Sequence, residues 1–194
     1  DTLAFTRDVP FIQSTPLVVD LLQDTLKRKV SRLPSYPGNF TNTIYSLPAD
    51  SVYQRMMQDS DNFIAEQLLL ACSSTQRDTP SSDWVIAHVT DNYLSDLPNE
   101  PVWVDGSGLS RYNLQTPRSL VALLQKVDAE LTDKRIKTIF PAGGISGTIE
   151  NWYANPEGKP YVFAKTGTLS NKHALSGFLY TRSGKKLIFS FMHN

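Results

Sequence analysis

The chain has 194 residues, of which 40% are hydrophobic, 12 are Pro and 10 are Gly, enough for one globular domain with a buried core. Nineteen basic and nineteen acidic residues give a formal net charge of zero; with no long runs of either sign, we expect neither a nucleic acid nor an anionic membrane as partner. Cys72 is the only cysteine, which excludes an internal disulfide and a multi-thiolate zinc site. No apolar stretch reaches the roughly 18 residues of a membrane span, and the first residues do not resemble a signal peptide.

The first part of the chain is predicted to be mostly helical. Residues 15–30 carry apolar side chains at helical spacing behind a Thr-Pro start, which predicts an amphipathic helix. Residues 31–47 contain Pro34, Pro37 and Gly38 and are predicted to be a connection. The same apolar spacing predicts further helices at 48–58, 61–75, about 80–95 and 117–131, and a short helical segment before AGGISGT, residues 142–148.

The last part of the chain changes to a β pattern. Three β-rich runs, 160–167, 174–181 and 185–192, are predicted to be strands, and Arg182, Ser183 and Gly184 form a short turn between the last two. Helices that precede an antiparallel meander indicate an α+β domain, in which an antiparallel sheet is flanked by helices.

Two short motifs carry the candidate chemistry: Ser60-Asp61-Asn62 at a helix junction, and Lys165-Thr166-Gly167-Thr168 at a strand end. Each motif alone is weak evidence for catalysis, because a Ser-Asp pair before a helix is usually an N-cap and a Lys-Thr-Gly is usually an exposed turn. Together, and with an S-x-x-K motif, they form the signature of class A β-lactamases and penicillin-binding proteins.

The residue types in the two motifs suit acyl transfer to a serine. That reaction needs a proton path to the leaving amine, a group that holds the acyl donor, and a cation that anchors a carboxylate. A hydroxyl such as that of Ser60 both donates and accepts, the amide of Asn62 can hold a peptide carbonyl, and Lys165 supplies positive charge. We assign these three residues to catalysis and Asp61 to the structure of the turn.

Four blocks, in chain order, resemble the penicillin-binding protein 4 family of D-alanyl-D-alanine carboxypeptidases and endopeptidases: QDSDNFIAEQLL, DGSGLSRYN, FPAGGISGTIEN and AKTGTLSNKHALSGFLYT. The resemblance covers roughly residues 10 to 194. It implies a β-lactamase/transpeptidase-like fold, a periplasmic location, an acyl-enzyme, and no cofactor or metal. It also implies two kinds of ligand, peptidoglycan peptides that end in D-Ala-D-Ala and β-lactams.

The resemblance also assigns the substrate-binding residues. Gly167 would let the substrate lie along the strand edge like an added strand, and the backbone N–H of Thr168 would form half of the oxyanion hole. The hydroxyls of Thr166 and Thr168 would bind the terminal carboxylate. Asp105 to Gly108 match a family block, but glycines around a serine more often mark a tight turn.

The chain departs from the family pattern at the nucleophile, which belongs to an S-x-x-K that precedes S-D-N. The only S-x-x-K here is Ser183 to Lys186, in a predicted hairpin turn after Lys-Thr-Gly, so we interpret it as a coincidence. His88, His173 and His193 lie in no serine hydrolase context. We therefore expect residues 1–194 to be the C-terminal part of the transpeptidase-like domain, with the absent N-terminal segment of the same protein as partner.

Three alternatives remain open: a non-catalytic module that binds peptidoglycan peptides, an inert fragment and, less favoured, a β-lactamase. The catalytic hypothesis makes two geometric predictions. The Ser60 hydroxyl and the Lys165 ammonium should lie within roughly 3 Å or one bridging water. The strand that ends in Lys-Thr-Gly should be an edge with 174–181 as its inner neighbour, and 185–192 should present a second edge with apolar surface, through which the isolated chain would associate or lose stability.

Overall fold

A computed structural model describes residues 14–35, 38, 42 and 45–193. The chain divides into two compact units at Tyr45 and Ser46. In the first unit, helix α1 (Thr15–Leu26) has Ser14 as its N-cap and Lys27 in the left-handed conformation at its end. The predicted helix therefore stops four residues early, because a left-handed residue breaks the helical hydrogen-bond ladder. The connection predicted at 31–47 lies partly outside the described residues.

The second unit contains five helices and three strands among its described residues. The helices are α2 (Ala49–Asp59), α3 (Asn62–Ser74), α4 (Ser82–Tyr93), α5 (Pro117–Glu130) and α6 (Asp133–Ile139), followed by a short 3₁₀ turn at Gly147–Ile149. The strands are β1 (Val162–Leu169), β2 (Lys172–Tyr180) and β3 (Lys186–His193), in the spatial order β1-β2-β3. Both pairings are antiparallel, which confirms the predicted α+β class and the meander.

The first hairpin is longer than predicted. β1 continues to Leu169, which pairs with Lys172 across a two-residue turn. Asn171 in that turn has φ of 68°, a conformation that Asn tolerates better than most residues. Strand pairing therefore includes Thr168, which the sequence prediction placed beyond the strand.

One face of the sheet packs on the helices. Phe163 and Phe178 lie on this face, and the ring of Phe140, at the end of α6, contacts Phe178 edge to face at 5.3 Å. Phe178 is fully buried, as is Ile136 of α6. The opposite face carries a smaller cluster: Val162, Ala164, Leu175 and Ile149. A third cluster joins α3 to α4: Leu69, Val85 and Ile86.

Ion pairs fix the helices to each other and to the sheet. Lys186 of β3 donates to Asp128 of α5 and, at 2.7 Å, to Asp133 of α6. Arg135 of α6 makes a two-pronged contact with Asp50 of α2, at 2.9 and 2.6 Å. The start of α2 is thereby held beside α6. Near its other end, the Gln58 side chain donates to Phe140 O at 2.9 Å, which helps to position Ser60, the residue that follows α2.

β1 is an open edge over only part of its length. Its first half pairs on both sides: β2 lies on one side, and on the other Ala164 N–H donates to Pro141 O while Gly143 N–H donates to Val162 O. The prediction of an open edge along the whole strand is wrong for this half. From Lys165 to Leu169, β1 has no outer backbone partner within the described part of the chain.

β3 is the second edge of the sheet among the described residues, as predicted. Its exposed apolar side chains include Leu187 and Phe191, the latter 72% exposed. Association of the isolated chain through this edge stays a prediction. None of the described helices is long and apolar enough to cross a bilayer.

Candidate active site

Ser60 lies at the junction of two helices. It caps the C-terminus of α2 in the left-handed conformation, with φ of 55°. A non-glycine residue there costs about 1–2 kcal/mol, and the surrounding hydrogen bonds offset this cost: Asp61 N–H donates to Met56 O, and the Asp61 carboxylate accepts from Ile64 N–H at 2.9 Å as the N-cap of α3. Asp61 is thus a structural residue of the turn, as expected, and Asn62 begins α3 with an exposed side chain.

Lys165 reaches across from β1 to this junction. Its Nζ donates to Ser60 Oγ at 2.7 Å and to the carbonyl oxygen of Thr166 at 2.8 Å. The predicted proximity of Ser60 and Lys165 is therefore confirmed. Burial lowers the pKa of Lys165, because desolvation disfavours the ammonium. A lysine with a lowered pKa holds its proton less tightly, and its partner here is a hydroxyl that can pass a proton on.

In the open half of β1, Lys165 to Leu169, the backbone groups of the two threonines point away from β2. Val162 O and Ala164 N–H bond to the Pro141–Gly143 segment, away from β2. Because backbone groups alternate in direction along a strand, the N–H and C=O of Thr166 and Thr168 point to the same outer side. Beyond Gly143 these groups have no described backbone partner, so a peptide could pair with them.

Gly167 is not required by the local backbone or packing. It has no left-handed φ, and an added Cβ would meet only Ala174 Cβ at 3.9 Å. Gly177, on the neighbouring strand, differs: its Cβ would lie 2.2 Å from Phe163 O. A structural need for glycine therefore exists at 177 and not at 167, which leaves close approach of a ligand as a reason for glycine at 167.

Two side chains near the threonines were missed by the sequence predictions. Thr166 donates to Thr148 Oγ1 at 2.8 Å, and Thr168 Oγ1 lies 3.0 Å from His173 Nδ1. Gly147 brings Thr148 close, since it has φ of +68° and packs against Gln58, where a Cβ would clash at 2.5 Å. The G-T pair in AGGISGT was visible in the sequence, but nothing in it indicated contact with Thr166.

The loop at Asp105 is a structural turn. The Asp105 carboxylate accepts from the N–H groups of Gly108 and Ser110 and from the Asn113 side chain. Burial tends to raise the pKa of Asp105, but these hydrogen bonds outweigh burial and lower it. Ser107 N–H donates to Glu66 of α3 at 2.9 Å, which fixes the loop to that helix.

The Ser183 to Lys186 sequence is also structural. Ser183 lies in the β2–β3 turn, where its hydroxyl is 3.0 Å from that of Thr181. Lys186 forms ion pairs with Asp128 and Asp133. This geometry supports the interpretation of its S-x-x-K pattern as a coincidence. Within the described ranges, no group of three or more His, Cys, Asp and Glu side chains could hold a metal ion.

Comparison with known proteins finds one matching family and relatives that are carboxypeptidases. Residues 37–194 match the model of the D-Ala-D-Ala carboxypeptidase 3 (S13) family. The chain is 29% identical over 164 residues to the D-alanyl-D-alanine carboxypeptidase DacB of Haemophilus influenzae, covering 81% of this chain and 34% of that protein. It is 36% identical over 95 residues to a D-alanyl-D-alanine carboxypeptidase of Actinomadura sp., covering 46% of this chain and 18% of that protein.

A solved structure shows the same similarity. The crystal structure of penicillin-binding protein 4 from Haemophilus influenzae, complexed with a β-lactam, matches with a TM-score of 0.66 and 28% identity. The match covers 92% of this chain and 44% of the other. The chain thus spans about a third of the length of the Haemophilus influenzae carboxypeptidase, and less than half of the solved chain.

Proposed function

The chain belongs to the D-Ala-D-Ala carboxypeptidase 3 (S13) family, and from that membership we propose that it forms part of a serine-type D-Ala-D-Ala carboxypeptidase or endopeptidase. The enzyme would act on peptidoglycan peptides through an acyl-enzyme. The nucleophilic serine would come from a segment of the same protein outside residues 1–194.

One observation carries the proposal: the 2.7 Å contact between Lys165 Nζ and Ser60 Oγ, made beside an open stretch of β1. Both partners come from motifs 105 positions apart in the chain. A hydroxyl and a partly buried lysine next to an unpaired strand edge combine a proton path with a place for an extended peptide. Neither an N-cap nor an exposed turn would require this contact.

The proposed chemistry follows from the positions of these groups. The nucleophile's oxygen forms a bond to the penultimate D-Ala carbonyl carbon, and the bond from that carbon to the nitrogen of the leaving D-Ala breaks. The nucleophile's proton passes to the leaving amine, with the Ser60 hydroxyl as the carrier and Lys165 as its hydrogen-bond partner. Asn62, two residues after Ser60, would hold the acyl donor through its amide. Water then hydrolyses the ester and restores the serine.

β1 would hold the substrate in register with this proton path. The outward N–H and C=O of Thr166 and Thr168 would pair with the peptide backbone, and Thr168 N–H would donate to the oxyanion. The hydroxyl of Thr168 would donate to the terminal carboxylate, and that of Thr166 would do so once it turns from Thr148 Oγ1. Gly167 leaves the strand surface clear between them.

β-Lactams are the second proposed ligand class, because they place an acyl carbonyl and a carboxylate in a similar relation. The similar Haemophilus influenzae protein was solved with a β-lactam. A peptidoglycan substrate implies that the enzyme works outside the cytoplasm, and we propose the periplasm.

Labelling with a fluorescent penicillin tests the proposal. We expect the complete gene product to form a stable adduct, mapped by mass spectrometry to a serine outside residues 1–194. The 1–194 polypeptide alone should form none, because acylation needs the nucleophile. A stoichiometric adduct within residues 1–194, or no adduct on the complete protein, would contradict the proposal.

A further inference from the structure

His173 contacts one of the proposed substrate-binding threonines from the neighbouring strand. It is the register partner of Thr168, and its Nδ1 lies 3.0 Å from Thr168 Oγ1. Both side chains are exposed, so a ligand at Thr168 would also lie close to the imidazole. The sequence predictions gave His173 no role.

The direction of this hydrogen bond decides what Thr168 can offer a ligand. A hydroxyl has one proton to donate and two lone pairs that accept. If the hydroxyl donates to Nδ1, it presents only lone pairs to the solvent side, and these repel a carboxylate. If Nδ1 carries the proton and donates to Thr168, the hydroxyl proton is free to point at a carboxylate oxygen. The imidazole therefore selects between repulsion and attraction.

A bound carboxylate favours the second arrangement, because it attracts the Thr168 hydroxyl proton and leaves a hydroxyl lone pair to accept from Nδ1. The residues from 158 to 194 include six Lys and Arg but no Asp or Glu. His193 of β3 is the register partner of His173 on its other side, and Lys172 precedes it in β2. A bound carboxylate would thus meet no competing carboxylate from the three strands and their turns.

We propose that His173 is a positioning residue that orients the Thr168 hydroxyl as a donor and so selects substrates with a free terminal carboxylate over neutral ones. This inference rests on the proposed function, since it needs Thr168 to bind the substrate terminus. His173 acts through Thr168, so its removal weakens carboxylate recognition while the proton path through Ser60 and Lys165 stays intact.

The test compares two substrates on the complete gene product: a peptide that ends in D-Ala-D-Ala, and the same peptide with a C-terminal carboxamide. His173→Phe keeps a ring but removes Nδ1, whereas His173→Asn returns an amide group that can donate from the position of Nδ1. We expect His173→Phe to lower the carboxylate-to-carboxamide ratio of kcat/KM by about tenfold, the size of one hydrogen bond to a charged group. The loss should appear mainly as a higher KM for the carboxylate peptide, and His173→Asn should restore much of the ratio.

The controls separate this inference from the proposed function. His88→Phe, on α4, alters a histidine stacked on Trp84 at 5.0 Å and should leave the ratio unchanged. Because the ratio is measured on one preparation, partial loss of folded protein cancels, and His173→Ala replaces the Phe variant if that variant does not fold. An active wild type with the same ratio in the Phe or Ala variant would overturn the role of His173 alone. A complete protein that neither cleaves the peptide nor reacts with penicillin would overturn both.

Discussion

The two halves of β1 differ in backbone pairing, burial and polarity, although both are β-strand. Val162 to Ala164 have backbone partners on both sides and side chains no more than 4% exposed. Lys165 to Leu169 are paired with β2 alone, and their side chains are mostly polar and accessible. The first half stabilises the domain, and the second half has no outer backbone partner among the described residues. A rigid strand can therefore present an open edge because its other end is fixed in the core.

Replacement of Lys165 should produce the largest effect, because it removes the side chain that joins the open half of β1 to Ser60. We expect Lys165→Met to slow acylation of the complete gene product by penicillin about 10²–10⁴-fold, the usual contribution of a positioned acid or base. The adduct rate is measured by fluorescence. Lys159→Met, at an exposed lysine before β1, is the matched control and should react at the wild-type rate. Equal rates for both variants would remove Lys165 from the mechanism.

Replacement of Phe178, the β2 partner of Phe163, should destabilise the protein at the buried half of β1. Phe178 is fully buried against Phe140 and pairs with Phe163 across the hairpin. We expect Phe178→Ala to lower the free energy of unfolding by about 3–5 kcal/mol, through lost burial and the cavity it leaves. Thr166→Ala, in the open half, should change it by less than about 0.5 kcal/mol. Urea denaturation measures both, and similar losses would show that the halves are not distinct.

Two glycines in the hairpin give a finer test of the same difference. At Gly177 an added Cβ would overlap Phe163 O and Ala164 Cα, whereas at Gly167 it would meet nothing closer than 3.9 Å. We expect Gly177→Ala to cost about 1–3 kcal/mol of unfolding free energy. Gly167→Ala should leave stability nearly unchanged but slow penicillin acylation, since the methyl group occupies the ligand's surface. A large stability loss at Gly167 would mean that this glycine is needed by the fold.

The ion pair at the far end of the sheet should give the smallest effect. Hydrogen bonding to Lys186 lowers the pKa of Asp133, and hydrogen bonds to Asp128 and Asp133 raise that of Lys186. The Asp133 contribution is present above its ordinary pKa of 3.8 and is lost as pH falls through the lowered value. The Lys186 contribution is complete below its ordinary pKa of 10.5 and is lost as pH rises through the raised value.

Asp133→Asn should therefore lower the free energy of unfolding by about 1 kcal/mol or less at pH 7, because Asp133 is half exposed. The difference from wild type should shrink in acid, and urea titrations from pH 3 to 8 would show this. Since Lys186 pairs with Tyr180, at the end of β2 away from the residues that pair with Thr166 to Leu169, the variant should react with penicillin at the wild-type rate. A pH-independent difference would exclude the ion pair as its cause.

The sequence predicted the presence of the helices and strands better than it predicted where they end. Apolar periodicity indicated the helices and the meander, but Lys27 and Asn171 ended or prolonged elements through backbone conformations that periodicity does not encode. The Ser60 and Lys165 contact was predicted because two motifs from one family occurred in order. The partner of the first half of β1 was not, because Pro141 to Gly143 have no strand pattern. Thr148 and His173 became visible only when the fold placed them against Thr166 and Thr168.

The crystal structure of the complete gene product acylated by a penicillin would show whether Ser60, Lys165 and the open half of β1 form one acyl-transfer site. We expect the acylated serine to lie outside residues 1–194, with the acyl carbonyl oxygen roughly 3 Å from Thr168 N. The penicillin carboxylate should contact the hydroxyls of Thr166 and Thr168, and the Ser60 hydroxyl should lie between Lys165 and the ring nitrogen. An acyl group bound away from Lys165 to Leu169, or a protein strand paired with that edge, would contradict it.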